Sequence, residues 1–480
     1  MNLNVKEKFA YALGAVGKDM VYMLSASYVL YYFQDILGVN AIAMGVILLV
    51  ARIFDAFNDP IMGIIVAKTH TKWGKFRPWL MIGTLTNAVI LFLMFAAPPS
   101  LDGKGLVAYA AITYILWGVT YTMMDIPYWS MIPAFTKTGK EREGLTTLAR
   151  SAAGVGSALV TILTMVIVHA LGGEGNAGER TGFKYFSLIV AVIFIVFIII
   201  TCVSIKEKST IDMESPSVGQ MFKALIQNDQ AMTIVIVIVL INCAVYTTSN
   251  LVLYFFKYDF GGEGWYNSYT LFNTFGGAIQ ILSMMVLYPL FRNGFKFSNI
   301  KIFYMCVISA IIGYAVLLGI TFTSMSNVVI LFIPGFFIFA ANGVLQVLTT
   351  VFLANTVDYG EMKNNRRDES VIFSMQTFVV KLASGIAAFI ASISLSIFSL
   401  SSKSVEEADK AIDFSLDVAK SSQNGLRMVM TLIPIVGLFI SIFWFKKKFI
   451  LDEDELDKIQ TELSGRSDNN NVSTDLDKNK

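Results

Sequence analysis

The residues best placed to do chemistry lie together in one apolar run. Within Arg52-Ile53-Phe54-Asp55-Ala56-Phe57-Asn58-Asp59-Pro60, the side chains of Asp55, Asn58 and Asp59 stand at i, i+3 and i+4. That spacing puts all three on one face of a helix. Two carboxylates about 5–6 Å apart repel by roughly 3 kcal/mol at an effective dielectric near 20. The flanking run, from near Ala41 to near Ala67, reads as membrane-spanning, where ionisable groups are expensive and functional by default. A positive partner is required there, either a metal ion or a proton.

Further charges sit inside other apolar runs. Lys18 and Asp19 fall mid-way along the first. Adjacent helical residues point about 100° apart, so each is expected to serve a different partner, although a structural ion pair is the alternative. Asp125 and Trp129 are i, i+4 in Tyr121-Thr122-Met123-Met124-Asp125-Ile126-Pro127-Tyr128-Trp129. A carboxylate with an indole one turn away suits a polyhydroxylated ring, because the acid accepts hydroxyl hydrogen bonds and the indole covers C–H faces. Thr122 could offer a neutral oxygen to the Asp55/Asp59 pair. Arg150 lies about a turn into the fifth run, and Lys381 lies deep in the eleventh, after Gln376 and Thr377. Bases in such places face the interior and need acids. Lys18, Arg150 and Lys381 against Asp19, Asp55, Asp59 and Asp125 leave one positive charge missing. An inward-pointing Arg52 or a bound cation would supply it.

Catalysis has no visible apparatus, and the chain reads as no enzyme. His70 and His169 are far apart at run ends, and Gly172-Gly173-Glu174-Gly175 follows no strand. Cys202, Cys243 and Cys306 read as small buried hydrophobes, and no resident cofactor is implied.

The positioning elements follow from composition. The 480 residues are 55% hydrophobic and 15% charged, against about 25% charged in soluble domains. Apolar runs of about 20 residues recur throughout, the length a bilayer requires. Twelve spans are expected, roughly at 9–36, 41–68, 78–98, 105–134, 146–171, 183–205, 231–258, 267–291, 300–322, 327–357, 370–400 and 425–446. The reading is an all-α membrane protein with two six-helix halves, 1–205 and 231–448, joined by a polar linker at 206–230. The tail, 449–480, is polar and expected to be disordered. The first run carries Lys18 and Asp19, which a cleaved signal core would not tolerate, so it stays as a span. Lys68, Lys72, Lys75 and Arg77, then Lys137, Lys140 and Arg142, Arg292, Lys296 and Lys301, and Lys363, Arg366 and Arg367 occupy alternate loops. By the positive-inside rule both termini are cytoplasmic, in a multi-pass cell-membrane protein. The net charge of +2 gives no reason to expect a nucleic-acid partner.

The stretch Trp73-Gly74-Lys75-Phe76-Arg77-Pro78-Trp79-Leu80-Met81-Ile82-Gly83-Thr84, after Asp59-Pro60-Ile61-Met62-Gly63, resembles the signature of the sodium:galactoside symporters. These form the glycoside–pentoside–hexuronide:cation family of the major facilitator superfamily. Gly14-Ala15-Val16-Gly17-Lys18-Asp19, Asp125-Ile126-Pro127-Tyr128-Trp129, Asp358-Tyr359-Gly360-Glu361 and Gln376-Thr377-Phe378-Val379-Val380-Lys381 extend the likeness over all twelve spans. The resemblance implies a major facilitator fold and import of a galactoside, such as melibiose, with Na⁺, Li⁺ or H⁺ by alternating access. Asp55, Asn58, Asp59 and Thr122 would bind the cation. Lys18, Asp19, Tyr121, Asp125, Trp129, Arg150, Gln376, Thr377 and Lys381 would sit at or beside the sugar. Asn58 and Thr122 add neutral oxygens that favour Na⁺ over H⁺. Gln346 stands where melibiose carriers are expected to have a tryptophan, which puts the sugar preference in question. A proton-coupled glucuronide or xyloside symporter is the alternative, with a lipid-like substrate more distant. Any phosphotransfer-type regulation would come from a separate protein.

Overall fold

The structure is a computed structural model that describes residues 4–132, 140–205, 226–262, 264–323, 327–364, 369–400 and 413–459, with 219, 223, 325, 461 and 462. A chain that crosses hydrocarbon must satisfy its backbone polar groups within each segment, which leaves the helix as the unit of construction. Twelve long helices fill the described residues: α1 Val5–Tyr31, α2 Ala41–Ala67, α3 Arg77–Phe95, α4 Gly103–Ser130, α5 Lys140–Gly172, α6 Gly175–Ser204, α7 Asp229–Phe255, α8 Trp265–Leu282, α9 Asn299–Thr321, α10 Phe332–Asn364, α11 Glu369–Ile397 and α12 Lys420–Lys448. Eleven are long and apolar enough to cross a membrane among the described residues, and the exception is the charged α1. Large apolar side chains such as Val192 and Val196 on α6 and Phe439 and Phe443 on α12 point outward, as lipid contact requires. Most of the expected linker lies outside the described residues, as do Arg366, Arg367 and Lys137.

Within the first half α1 packs on α5 and α6, and α2 and α3 pack on α4. The second half repeats this with α7 on α12 and α9 on α10. The halves meet where α2 packs on α11 and α5 on α8. Tyr11 of α1 and Tyr128 of α4 pin their helices together, each hydroxyl donating to the other's backbone carbonyl at 2.5 Å, with rings stacked 4.4 Å apart.

The duplication shows at the ends of α1 and α7 furthest from the chain termini. Each finishes in one π turn, Tyr32–Ile36 and Phe256–Phe260, with an aspartate at the matching place, Asp35 and Asp259. A glycine at positive φ follows each, Gly38 at +73° and Gly261 at +66°. Asn176 of α6 donates to the Asp35 carbonyl, and Gln423 of α12 donates to the Tyr258 carbonyl.

One expectation needs correction. The beginning of the tail is not disordered: residues 453–459 form a short helix, with Leu451 and Ile459 buried and Glu453 paired with Arg292 of the α8–α9 connection. Its apolar positions cover surface that the polar composition of the tail as a whole concealed.

Candidate functional site

Two clusters form in the middle of the bundle. The first joins α2, α4 and α11. Asp55 is buried, and Arg52, one helical turn earlier, donates to it at 3.2 Å. Arg52 is itself buried, against the Tyr114 ring, so it does point inward and supplies the charge that the sequence left short. Asp59, one turn after Asp55, accepts from the Thr122 hydroxyl at 3.0 Å. Its other oxygen is bonded by Lys381 from the second half. Asn58 lies between them, its buried Nδ2 without a hydrogen-bond partner among the described residues. The four residues expected around a cation are thus brought together as two carboxylates, an amide and a hydroxyl. Hard cations such as Na⁺ bind oxygen donors of this kind.

Gly118 of α4 makes the close approach of α2 possible. A Cβ there would lie 2.6 Å from Asp55 Oδ1.

The second cluster lies on α1, α4 and α5. Lys18 is buried and reaches Asp125 at 2.7 Å, Asp19 at 3.2 Å and the Tyr121 hydroxyl at 3.0 Å. The expectation that Lys18 and Asp19 serve separate partners is therefore corrected: one ammonium holds both acids, because its long stem curls back past its own neighbour. Trp129 donates its indole N–H to Asp125 at 3.2 Å, and the Arg150 guanidinium sits 4.1 Å from the Trp129 ring centroid. Asp19 and Asp125 keep 19% and 27% of their side-chain surface accessible, and Arg150 is exposed. An open carboxylate, a planar cation and an aromatic face are the groups that bind a sugar ring.

The second half contributes less to this cluster. Gln346 is exposed on α10, and Gln376 of α11 donates to Thr350 of α10 at 3.3 Å. The side chain of Thr377 lies outside the described residues. Lys381, expected beside the sugar, is bonded to Asp59 instead.

A third network went unread in the sequence. At the bundle end far from the termini, Lys257 of α7 bonds Asp35 at 2.6 Å and the Tyr31 hydroxyl at 2.8 Å across the seam between the halves. Tyr258 also bonds Asp35. Tyr31 donates to Glu179 of α6 at 2.6 Å, and His169 of α5 sits 2.9 Å from the other Glu179 oxygen. Nothing local in the sequence marks these partners. Only the matched π-turn ends, Tyr-Phe-Gln-Asp and Phe-Lys-Tyr-Asp, hint at a shared location.

Residues 10–451 match the family described as MFS/sugar transport protein. The isoprimeverose transporter of Lactiplantibacillus pentosus is 28% identical over 91% of this chain and 86% of its own length. The raffinose carrier protein of Pediococcus pentosaceus is 26% identical over 95% of this chain and 71% of its own. The lactose permease of Lactobacillus delbrueckii subsp. bulgaricus is 25% identical over 96% and 74%. Among solved structures, a bacterial homologue of the lysosomal transporter Spinster, in an inward-facing and unoccupied conformation, superposes with TM-score 0.63 at 11% identity, covering 92% of this chain and 95% of that one. The nucleoside transporter NupG gives 0.62 at 11%, covering 92% and 100%. Those likenesses establish the major facilitator fold. The chain belongs to the MFS/sugar transport family, the glycoside–pentoside–hexuronide:cation symporters, and is a membrane transporter rather than an enzyme.

Proposed function

We propose that this chain imports a galactoside, such as melibiose, together with Na⁺. The observation that carries the coupling is the double engagement of Asp59 by Thr122 of the first half and Lys381 of the second. A cation entering among Asp55, Asn58, Asp59 and Thr122 competes directly with an ion pair that ties the halves together. Once displaced, the Lys381 ammonium is free to turn toward the acids of the sugar cluster. Coupling of this kind is reciprocal: sugar raises cation affinity by the factor that cation raises sugar affinity.

The base-rich loops support cytoplasmic termini in the plasma membrane. On that orientation the buried Asp35–Lys257 seam lies at the external end of the bundle.

The test is melibiose uptake into proteoliposomes with and without Na⁺, with Asp59→Cys beside the wild type. Na⁺-stimulated uptake that the substitution abolishes is the expected result. Uptake driven by a pH gradient and indifferent to Na⁺ would move the ion to H⁺. A second reading, a xyloside or glucuronide as sugar, draws on exposed Gln346 and on the relative named for isoprimeverose. It predicts xyloside uptake where melibiose gives none.

A further inference from the structure

Three polar side chains of α7, Asn242, Tyr246 and Asn250, stand at i, i+4 and i+8 in a helix otherwise rich in Ile, Val and Leu. They share one face over about 12 Å of helix. Polar side chains in a span ordinarily bond across to neighbouring helices. Thr248, on another side of α7, does so, meeting Tyr314 of α9 at 3.1 Å and the Met430 carbonyl of α12 at 3.0 Å. The three on the shared face do not. Asn242 and Asn250 turn their amide nitrogens back to carbonyls of their own helix, Ile238 and Tyr246, at 2.8 Å each. The two amide oxygens and the Tyr246 hydroxyl have no hydrogen-bond partner among the described residues, and all three side chains are half-buried.

This face looks at the first half. Tyr246 interacts electrostatically with Tyr22 of α1 and Arg52 of α2. Further along α7, the Tyr254 ring meets Tyr31 of α1 at 5.9 Å, and Lys257 bonds Asp35. Tyr22 lies one turn beyond Lys18, and its ring is 5.5 Å from that of Tyr121, whose hydroxyl accepts from Lys18. The α7 face therefore stands at the level of the sugar cluster. The internal duplication agrees. Lys18 and Asn242 each lie 14 residues before the π turn that ends their helix, and Tyr22 and Tyr246 each lie 10 before it. Asn242 and Tyr246 thus hold on α7 the places that Lys18 and Tyr22 hold on α1, with an amide where the first half has an ammonium.

We propose that Asn242, Tyr246 and Asn250 form the neutral wall of the sugar site and bind the second ring of a disaccharide. The inference deepens the proposed function and rests on it for the location of the first ring, among Asp19, Asp125 and Trp129. With their nitrogens tied to the helix, the two asparagines present only acceptors, and these take hydroxyl donors. A second ring carrying a carboxylate would find no donor on this wall and would be left unpaired there. The ligand class is a neutral disaccharide.

The test is isothermal calorimetry on the full chain in nanodiscs, at saturating Na⁺ and fixed pH. Melibiose is paired with methyl α-galactoside, and xylobiose with methyl β-xyloside, so each two-ring ligand has a one-ring counterpart. Wild-type binding judges the galactoside by itself: if xylobiose binds and melibiose does not, the galactoside falls and the variants are measured on the xylose pair. Asn242→Ala and Asn250→Ala should each weaken the disaccharide about 3- to 10-fold, while the methyl glycoside holds within about twofold. Either variant carries the readout if the other does not fold. Thr248→Val, facing α9 and α12, is the control for general damage to α7: it should lower the thermal midpoint and leave the ratio of the two affinities unchanged. Asparagine variants that fold and weaken both ligands alike, or weaken neither, would overturn the inference.

Discussion

The approach of α2 to α4 gives a prediction that isolates the proposed cation site from everything else. In Gly118→Ala the new Cβ would stand 2.6 Å from Asp55 Oδ1, where ordinary contact begins near 3.4 Å. The carboxylate cannot simply swing aside, because Asp55 is buried and held by Arg52 at 3.2 Å. Overpacking of this order costs about 1–3 kcal/mol, and each 1.4 kcal/mol is about tenfold in an equilibrium constant. If the displacement falls on the cation's ligand, cation affinity should drop roughly 5- to 150-fold. The sugar cluster shares none of these contacts, so sugar affinity at saturating cation should hold within about twofold. Isothermal calorimetry of sugar binding across a Na⁺ titration separates the two effects, repeated with Li⁺ and across pH. Gly319→Ala is the control, because a Cβ there meets nothing within 4 Å. A Gly118→Ala protein that is well folded and has an unchanged cation titration would refute the argument that Asp55 is a cation ligand.

Lys381→Gln removes the amine that competes for Asp59, so cation binding without sugar should tighten by about tenfold or more while sugar-driven uptake is lost; Na⁺ titrations and uptake measured on the same preparation check both. Gln346→Trp puts an aromatic face on α10, and competition uptake should show a preference shifted toward galactosides with a second ring. Tyr11→Phe deletes one donor to the Tyr128 carbonyl and should destabilise the first half by about 1–2 kcal/mol, read as a lower thermal midpoint in detergent. Glu453→Ala breaks an exposed pair with Arg292 and should cost under about 1 kcal/mol, whereas Ile459→Asp puts a charge at a buried position and should lower the midpoint clearly.

The helices were legible because lipid imposes one length and one composition on every span. Asp55, Asn58 and Asp59 were legible because helical spacing alone puts them on one face, and Trp129 meets Asp125 for the same reason. Contacts between helices distant in sequence were not. That Lys381 chooses Asp59 rather than the sugar-side acids depends on where α11 crosses α2, and no periodicity encodes a crossing point. Lys18 was misjudged because the angle between adjacent Cβ atoms says little about the tip of a four-carbon stem. The Asp35–Lys257 seam stayed hidden because His169, Glu179 and Lys257 lie near span ends, where a charge ordinarily meets headgroups or water. The docked helix at 453–459 was lost in the average polarity of its tail.

The Lys381–Asp59 pair has a consequence for the half of a transport cycle in which nothing is carried. A symporter must return empty, and with Asp55 held by Arg52 the unloaded site would still keep Asp59 as one unmatched carboxylate at the bundle centre. A tethered ammonium from the opposite half acts as a built-in counter-ion, so the unloaded protein turns around nearly neutral at its centre. In the proposed cycle, loading with the cation alone would turn that ammonium toward Asp19 and Asp125, which Lys18 already holds, so the half-loaded protein would carry an excess positive charge there. On this view one lysine both eases the empty return and discourages an ion leak, which makes the stoichiometry of transport a property of charge balance rather than of shape.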